Sequence, residues 1–251
     1  MRVGILGSGL MGGKLGTLFA RAGHDVVFSY ARSEDKLSGL ARSAGHNARA
    51  GTPHEAGQKA DVILLAVHWS RVDDVLSKAG DLTGKVLVSC CLPMNAEKTE
   101  LVVAHNSSGA EELAKRVPGA RIVAAFNTVP SEVLFGVFSA RRKPGRPSLV
   151  YCGDDSGGKR VAAGIIQDIG FDPVDVGPLR ISRYIEPFAL LVAQIAYEGQ
   201  GGPEVAYRFE RFEPASTRNE PHDESELPFK RLDLDGDEGH GPAEVAFGRG
   251  K

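Results

Sequence analysis

The stretch that most limits what this chain can fold into is VGILGSGLMGGKLG, residues 3–16. A short apolar run ends there in a glycine-rich turn. Gly7, Ser8, Gly9, Leu10, Met11 and Gly12 fit the spacing G-x-G-x-x-G. Alone that spacing is a weak signal. Between a strand pattern and a helix pattern it has a physical reason. Gly7 permits a tight turn, Gly9 lets the backbone approach a pyrophosphate, and Gly12 lets the helix pack closely on the strand. The helix that follows offers unpaired N–H groups and a positive dipole end to phosphates.

The rest of the chain carries the pattern that such a cradle requires. Residues 2–6, 25–29, 61–67, 85–89, 121–126 and 148–152 read as strands, rich in β-branched residues and nearly continuous in apolar character. Parallel strands buried on both faces look like this. Helical patterns lie between them, near 10–22, 33–44, 53–59, 70–79, 107–117 and 156–169. Gly23 and Gly170 stop helices just before new strands, and FDPVDV (171–176) reads as a short last one. The alternation predicts an α/β fold, a doubly wound parallel sheet with helices on both faces, over residues 1–181.

The pattern changes after residue 181. Phe188, Leu191, Val192 and Ile195 form one apolar helix face, with Pro187 in the first turn, and PEVAYRFERF (203–212) reads as a second short helix. Residues 182–212 are therefore expected to form a small helical appendage that makes a core, dimer or acceptor-site contact. From Glu213 to Lys251 the chain carries ten acidic residues against five basic ones and no sustained periodicity. Such a segment buries too little apolar surface to offset its ordering entropy, so an extended or partly ordered acidic tail is expected. DLDGDEGHG (233–241) lacks the sixth-position glycine and the final Glu of a calcium loop. No metal is expected.

Composition narrows the partners. A formal net charge of −2 gives no electrostatic argument for nucleic acid or an anionic membrane surface. No apolar run approaches the roughly 20 residues of a membrane span. Strand pattern begins at Arg2, so no secretory leader is expected. The three cysteines, Cys90, Cys91 and Cys152, are sparse and odd in number, and adjacent cysteines pair poorly. A reducing cytoplasm is the expected setting. With no C-x-x-C and no cationic neighbour, the cysteines read as core or pocket-lining residues.

The end of the second strand selects the nucleotide. Chains that bind NAD usually place Asp or Glu there to accept from a ribose hydroxyl. This chain has Ser29, Tyr30, Ala31, Arg32 and Ser33. Arg32 can pair with phosphate oxygens, Ser29 and Ser33 can donate hydroxyls, and Lys36 adds charge one turn later. Glu34 and Asp35 decorate a helix N-terminus, where negative charge is favoured. NADP(H) is expected rather than NAD(H).

These residues, with several further segments, resemble a known family, the NADP oxidoreductases dependent on the deazaflavin coenzyme F420. The resemblance spans about residues 1–211. It is carried by GILGSGLMGGKLG (4–16), FSYARS (28–33), ADVILLAVHWSRVDDVL (60–76), PGARIVAAFNTVPSEVL (118–134), residues 152–179 and RYIEPFALLVAQIAY (183–197). AFNTVP and GFDPVDVGPL are more particular than the glycine loop. The resemblance implies a Rossmann domain with a small helical C-terminal part, a homodimer, and hydride transfer between NADPH and a deazaflavin, or in related domains an ordinary flavin such as FMN or FAD. One departure stands at Leu92, where the family often has Asn before the proline.

In open α/β sheets ligands lie beyond the carboxyl ends of the strands. Ala66, Val67 and His68 are therefore expected beside the nicotinamide ribose. Trp69, Pro93, Met94, Asn127 and Thr128 are expected at the acceptor site, Trp69 as a cap on the acceptor ring. Hydride transfer between flat rings needs no covalent nucleophile, so no catalytic side chain is assigned beyond the candidates His68 and Asn127. Two other functions fit the motif. A reductase of small carbonyl or imine substrates would need a proton donor on the appendage, and no Lys lies within 182–212. A non-catalytic NADPH sensor would need no acceptor site.

Overall fold

The computed structural model of the protein describes residues 1–45 and 47–212. The expected acidic tail and its DLDGDEGHG stretch lie outside them. Met1–Glu210 form one compact unit.

This unit is built on eight strands: β1 (Arg2–Leu6), β2 (Asp25–Ser29), β3 (Ala48–Ala50), β4 (Val62–Leu65), β5 (Val86–Ser89), β6 (Arg121–Ala124), β7 (Ser148–Gly153) and β8 (Asp172–Asp175). Their order in the sheet is β3-β2-β1-β4-β5-β6-β7-β8. Pairing is parallel except where β7 meets β6 antiparallel. The order reverses at β1, so a crevice opens between β1 and β4 at their carboxyl ends. This is the doubly wound α/β fold that the alternation predicts.

Two helical layers cover the sheet. One contains α1 (Leu10–Arg21), α2 (Glu34–Ala44), α6 (Leu134–Ala140) and α7 (Ser156–Asp168), whose Leu18, Phe19, Leu37, Phe138 and Ile165 pack on Val3, Ile5 and Phe28. The other contains α3 (Pro53–Gln58), α4 (Val72–Ala79), α5 (Gly109–Arg116) and α8 (Ser182–Tyr197), whose Ala56, Val75, Leu113 and Ile185 pack on Leu6, Ile63 and Leu87. Successive strand residues point to opposite faces, which is why strands such as Val62–Leu65 are apolar throughout and buried throughout. Close approach explains Gly4, where a Cβ would lie 2.0 Å from the Ala56 carbonyl oxygen of α3.

Four details differ from the sequence expectation. The short strand β3 and the helix α6 escape periodicity because each is only 3 and 7 residues long. The C-terminal helix α8 starts at Ser182, directly after a 3-10 turn at Leu179–Ile181, so Pro187 lies inside it rather than at its start. The buried face of α8 is Ile185, Ala189, Val192 and Ala196, while Leu191 and Ile195 are 56% and 51% exposed. Small residues let α8 seat closely on the sheet layer, and the larger apolar side chains point away. Finally, 203–212 forms no helix. It runs along β7, where Ser148 N–H donates to the Tyr207 carbonyl at 2.8 Å.

No helix among the described residues is long and apolar enough to cross a membrane. Cys90, Cys91 and Cys152 are all free thiols.

Candidate active site at the carboxyl ends of the strands

A cavity of about 1040 Å³ opens at the switch point of the sheet. The glycine loop forms its floor. Gly7 has φ +110°, a region that L side chains rarely adopt, and a Cβ there would meet the Ala66 carbonyl oxygen at 2.4 Å. At Gly12 a Cβ would lie 2.0 Å from the Gly7 carbonyl oxygen. Gly9 differs: a Cβ there would meet nothing within 4 Å. It is the N-cap of α1, with no side-chain cap and no acidic residue in the first turn. Gly7 and Gly12 therefore hold the turn together, and Gly9 keeps a space open in front of the helix N-terminus. Unpaired N–H groups beside an open space fit a pyrophosphate.

Cations line one end of the cavity. Arg32 and Lys36 reach it from the β2–α2 turn, and Arg71 and Lys78 from the start and end of α4. Asp74 stands among them, but Lys78 Nζ holds it at 2.9 Å and the Tyr30 hydroxyl donates to the same carboxylate. Those two hydrogen bonds keep the Asp74 carboxyl below its usual range. Tyr30 adopts φ +57°, and Lys78 Nζ lies 5.4 Å from the centre of its ring. Four cations against one neutralised carboxylate favour an anion.

The other end is mostly apolar. Cys90 and Leu92 after β5, Val129 and Pro130 after β6, and Ala189, Val192 and Ala193 of α8 form its walls. Asn127 and Thr128 complete the β6 side. Phe126, just before them, is fully buried with φ +66°. The Asn127 Oδ1 atom is buried and has no hydrogen-bond partner. Buried acceptors rarely stay unpaired, so this atom is suited to a donor from outside the chain. Tyr197 closes the rim, donating to Glu132 at 3.0 Å; burial and that carboxylate push its hydroxyl up to about 12.

Most of the expected residues meet here. Gly7, Ser8, Gly9, Leu10, Met11, Arg32, Lys36, Ala66, Val67, His68, Asn127 and Thr128 all line the cavity, with Gly12 packed behind the loop. Five do not line it. Ser29 is fully buried and donates to the Ile5 carbonyl at 2.6 Å, tying β2 to β1. Ser33 caps α2, its hydroxyl accepting from Lys36 N–H. Trp69, in the 3-10 turn Trp69–Arg71, is half-buried against the core outside the cavity and stacks under Arg116, whose guanidinium carbon lies 4.4 Å from the ring centre. Pro93 packs under the start of α5, where a Gly109 Cβ would touch it at 2.9 Å. Met94 pairs as an isolated bridge with Leu101.

Sequence reading missed Arg71, Asp74 and Lys78. Their spacing of i, i+3 and i+7 places them on one helix face, and that signal was available. An acceptor-site contact from the appendage is among the expectations, but which residues of α8 make it, Ala189, Val192, Ala193 and Tyr197, had no local signal. The thiols are held in their protonated form. Burial pushes Cys91 up to about 11 and Cys152 up to about 12, and Cys90 rises for the same reason with Cys91 adding to it.

Comparison with known proteins agrees with this geometry. Residues 2–93 match the family model described as NADP oxidoreductase, coenzyme F420-dependent. The rat metalloreductase STEAP3 is 31% identical over 189 residues, which is 75% of this chain and 36% of STEAP3. The chain thus spans about a third of that relative. A solved structure from Arthrobacter sp. FB24, described as an F420-dependent NADP-reductase, superposes with a TM-score of 0.73 at 20% identity. It covers 83% of this chain and 99% of the other. The reductive aminase of Aspergillus terreus, solved with NADPH and ethyl levulinate, gives a TM-score of 0.55 at 18% identity. That likeness covers 77% of this chain and 60% of the aminase. At these identities the two structures establish the fold.

Proposed function

We propose that the protein is an NADPH-dependent oxidoreductase that moves hydride between NADP(H) and a flat redox acceptor, a deazaflavin or a flavin. The observation that carries this reading is the pairing of the open Gly9 cradle with the cations Arg32, Lys36, Arg71 and Lys78 in one cavity. The cradle suits a pyrophosphate. The cations suit a second phosphate on the adenosine ribose, where a carboxylate of an NAD site would repel it. When bound, NADPH supplies the hydride.

The chain's own residues then bind, orient and exclude water. The N–H groups at the start of α1 hold the pyrophosphate, and Arg32 and Lys36 hold the second phosphate. Asn127 Oδ1 accepts from an amide or hydroxyl of the ligand. Leu92, Val129, Ala189 and Val192 give the reacting rings a dry, flat enclosure, which is what transfer between two rings requires. No side chain has to give or take a proton in that transfer. The family match over residues 2–93 supports the nucleotide and the reaction class.

The reading includes a homodimer in the cytoplasm, supported by the exposed apolar Leu191 and Ile195 on α8 and by the free thiols. One observation bears on carbonyl or imine reduction, the hydroxyl of Tyr197 on the cavity wall. Its hydroxyl already donates a hydrogen bond to Glu132 and its acidity is lowered, so it serves poorly as a proton donor. The test is to follow NADPH absorbance at the nicotinamide band with deazaflavin, FMN and FAD in parallel. Oxidation by at least one of them is expected. Oxidation by none would sink the proposal.

A further inference from the structure

Three segments clamp the loop that follows β6. Lys14 of α1 donates to the carbonyl and hydroxyl oxygens of Ser131, both at 3.1 Å. Tyr197, at the end of α8, donates to Glu132, but that contact is exposed. The third clamp comes from beyond α8 and is part-buried. Tyr207 Oη shares a 2.7 Å hydrogen bond with Thr128 Oγ1. Thr128 is 1% exposed and lines the cavity.

The reason Tyr207 sits there lies in the sheet. The strand β6 pairs with β7 only at Val123 and Ala124, opposite Gly153 and Cys152. Beyond Ala124 the chain leaves the sheet and turns at Phe126, with φ +66°. Asp172 and Val176 N–H groups go to the carbonyls of Pro147 and Tyr151, on the β8 side of β7. Ser148 and Val150 thus face the gap that β6 has left. Buried N–H groups need partners. Tyr207 supplies both: its carbonyl accepts from Ser148 N–H at 2.8 Å and its hydroxyl from Val150 N–H at 3.2 Å. Phe209 N–H then donates to Ser148 Oγ at 2.9 Å. The ring is held edge-on by Phe188 of α8, with centres 5.1 Å apart, and by Phe209 at 5.5 Å. One side chain therefore joins β7, α8 and the cavity loop.

We infer that Tyr207 is a positioning residue for the reaction: the strap 203–209 stands in for the missing end of β6, and the Tyr207–Thr128 hydrogen bond fixes the loop 126–130 against the reacting rings. This inference rests on the reading of the cavity as a hydride-transfer site. The backbone at Phe126 is in a region that costs energy for a residue other than glycine, so it persists only while its surroundings hold it. Asn127 lies between that residue and Thr128. Loss of the Thr128 anchor frees the loop that carries it. Misplacement by a fraction of an ångström is enough to slow a transfer that depends on ring distance.

The experiment compares the full chain with Tyr207→Phe, which keeps the ring packing and removes only the hydroxyl. Amide hydrogen exchange is read in a peptide covering 126–131 and in one covering β1. Exchange about tenfold faster in the loop, with β1 unchanged, is expected. In the same preparations kcat with the best acceptor should fall about tenfold while the Kd for NADPH stays within about twofold. Thr128→Val removes the same bond from the other side, leaves the strap intact, and should loosen the same peptide. Unchanged loop exchange in both variants, or exchange that rises equally in loop and β1, overturns the inference, because either marks Tyr207 as ordinary stabilisation. So does a kcat that does not move. A wild-type protein that oxidises NADPH with no acceptor sinks the functional reading instead, and the exchange result still decides whether Tyr207 sets the loop.

Discussion

At the nucleotide end of the cavity the ligand-facing groups come from three short stretches, Gly7–Met11, Tyr30–Lys36 and Ala66–Lys78. Each is contiguous in sequence, and each sits at the end of a strand in the centre of the sheet. At the acceptor end the walls come from the segments after β5 and β6 and from α8, spread over about a hundred residues of chain, and side-chain contacts to α5 hold α8 in place. Ser108 and Ser182 hydroxyls meet at 2.5 Å, and the Glu186 carboxylate accepts from the N–H groups of Gly109 and Ala110 at 2.9 and 3.0 Å. Arg183 adds a paired contact to Glu111, at 2.8 and 2.7 Å. The first end is shaped by the backbone of the glycine loop together with four cationic side chains. The second is shaped by side chains and depends on each of them. One binds a cofactor shared by many enzymes, and the other decides what that cofactor meets.

The largest expected effect breaks the nucleotide end through its backbone. Gly12→Ala drives a Cβ into the Gly7 carbonyl, so a loss of about 1–3 kcal/mol, roughly 3–10 °C in Tm, should accompany loss of NADPH binding. Gly9→Ala has free space and should keep the parent Tm while weakening NADPH about tenfold or more. Thermal melts with and without NADPH check both. If the two variants lose stability equally, the open space at Gly9 is not a ligand site.

Glu186 tests the acceptor end. Burial raises its carboxyl to about 7 from the ordinary 4.5, against the lowering pull of the two N–H donors. A carboxyl raised on folding binds more protons folded than unfolded between those values, so stability falls as pH rises from about 4.5 to 7 and levels off above. Its cost at neutral pH is on the order of 3 kcal/mol by linkage. Glu186→Gln mimics the protonated form and should flatten that part of the pH profile while matching the parent near pH 5. Denaturant melts across this range decide it, and an unchanged slope would show that Glu186 is not its source.

Smaller effects sharpen the contrast. Arg32→Ala should weaken NADPH roughly tenfold and leave NADH nearly untouched, because a charge-assisted bond to phosphate is lost in one case only. Equal loss for both would remove Arg32 from the phosphate site. Trp69→Leu should be smallest. It gives up a contact with Arg116 worth about 0.5–1 kcal/mol and should keep hydride transfer within about twofold, since the ring lies outside the cavity. A larger drop in kcat would restore Trp69 to the acceptor site.

Local sequence determined a good part of this protein. The glycine spacing dictated a turn that only residues without a Cβ can make, and the β-branched runs dictated buried parallel strands. The absence of a carboxylate directly after β2 marked the cation-lined end, although of the expected Ser29, Arg32, Ser33 and Lys36 only Arg32 and Lys36 reach the cavity. These features are legible because their physics acts over a few residues: a steric limit, a period of two or 3.6, a charge at a strand end. Tertiary structure decided the rest. Ser29 and Ser33 could serve a phosphate or the backbone, and the packing of β2 and the capping of α2 gave both to the backbone. Trp69 could face the cavity or the surface, and one 3-10 turn sent it to Arg116. The apolar residues of α8 gave two possible faces, and the need for close approach chose the small one. Tyr207 carries no motif at all. Its role exists only because β6 leaves the sheet early and leaves the N–H groups of Ser148 and Val150, about sixty residues away in sequence, in need of partners, which no local pattern records.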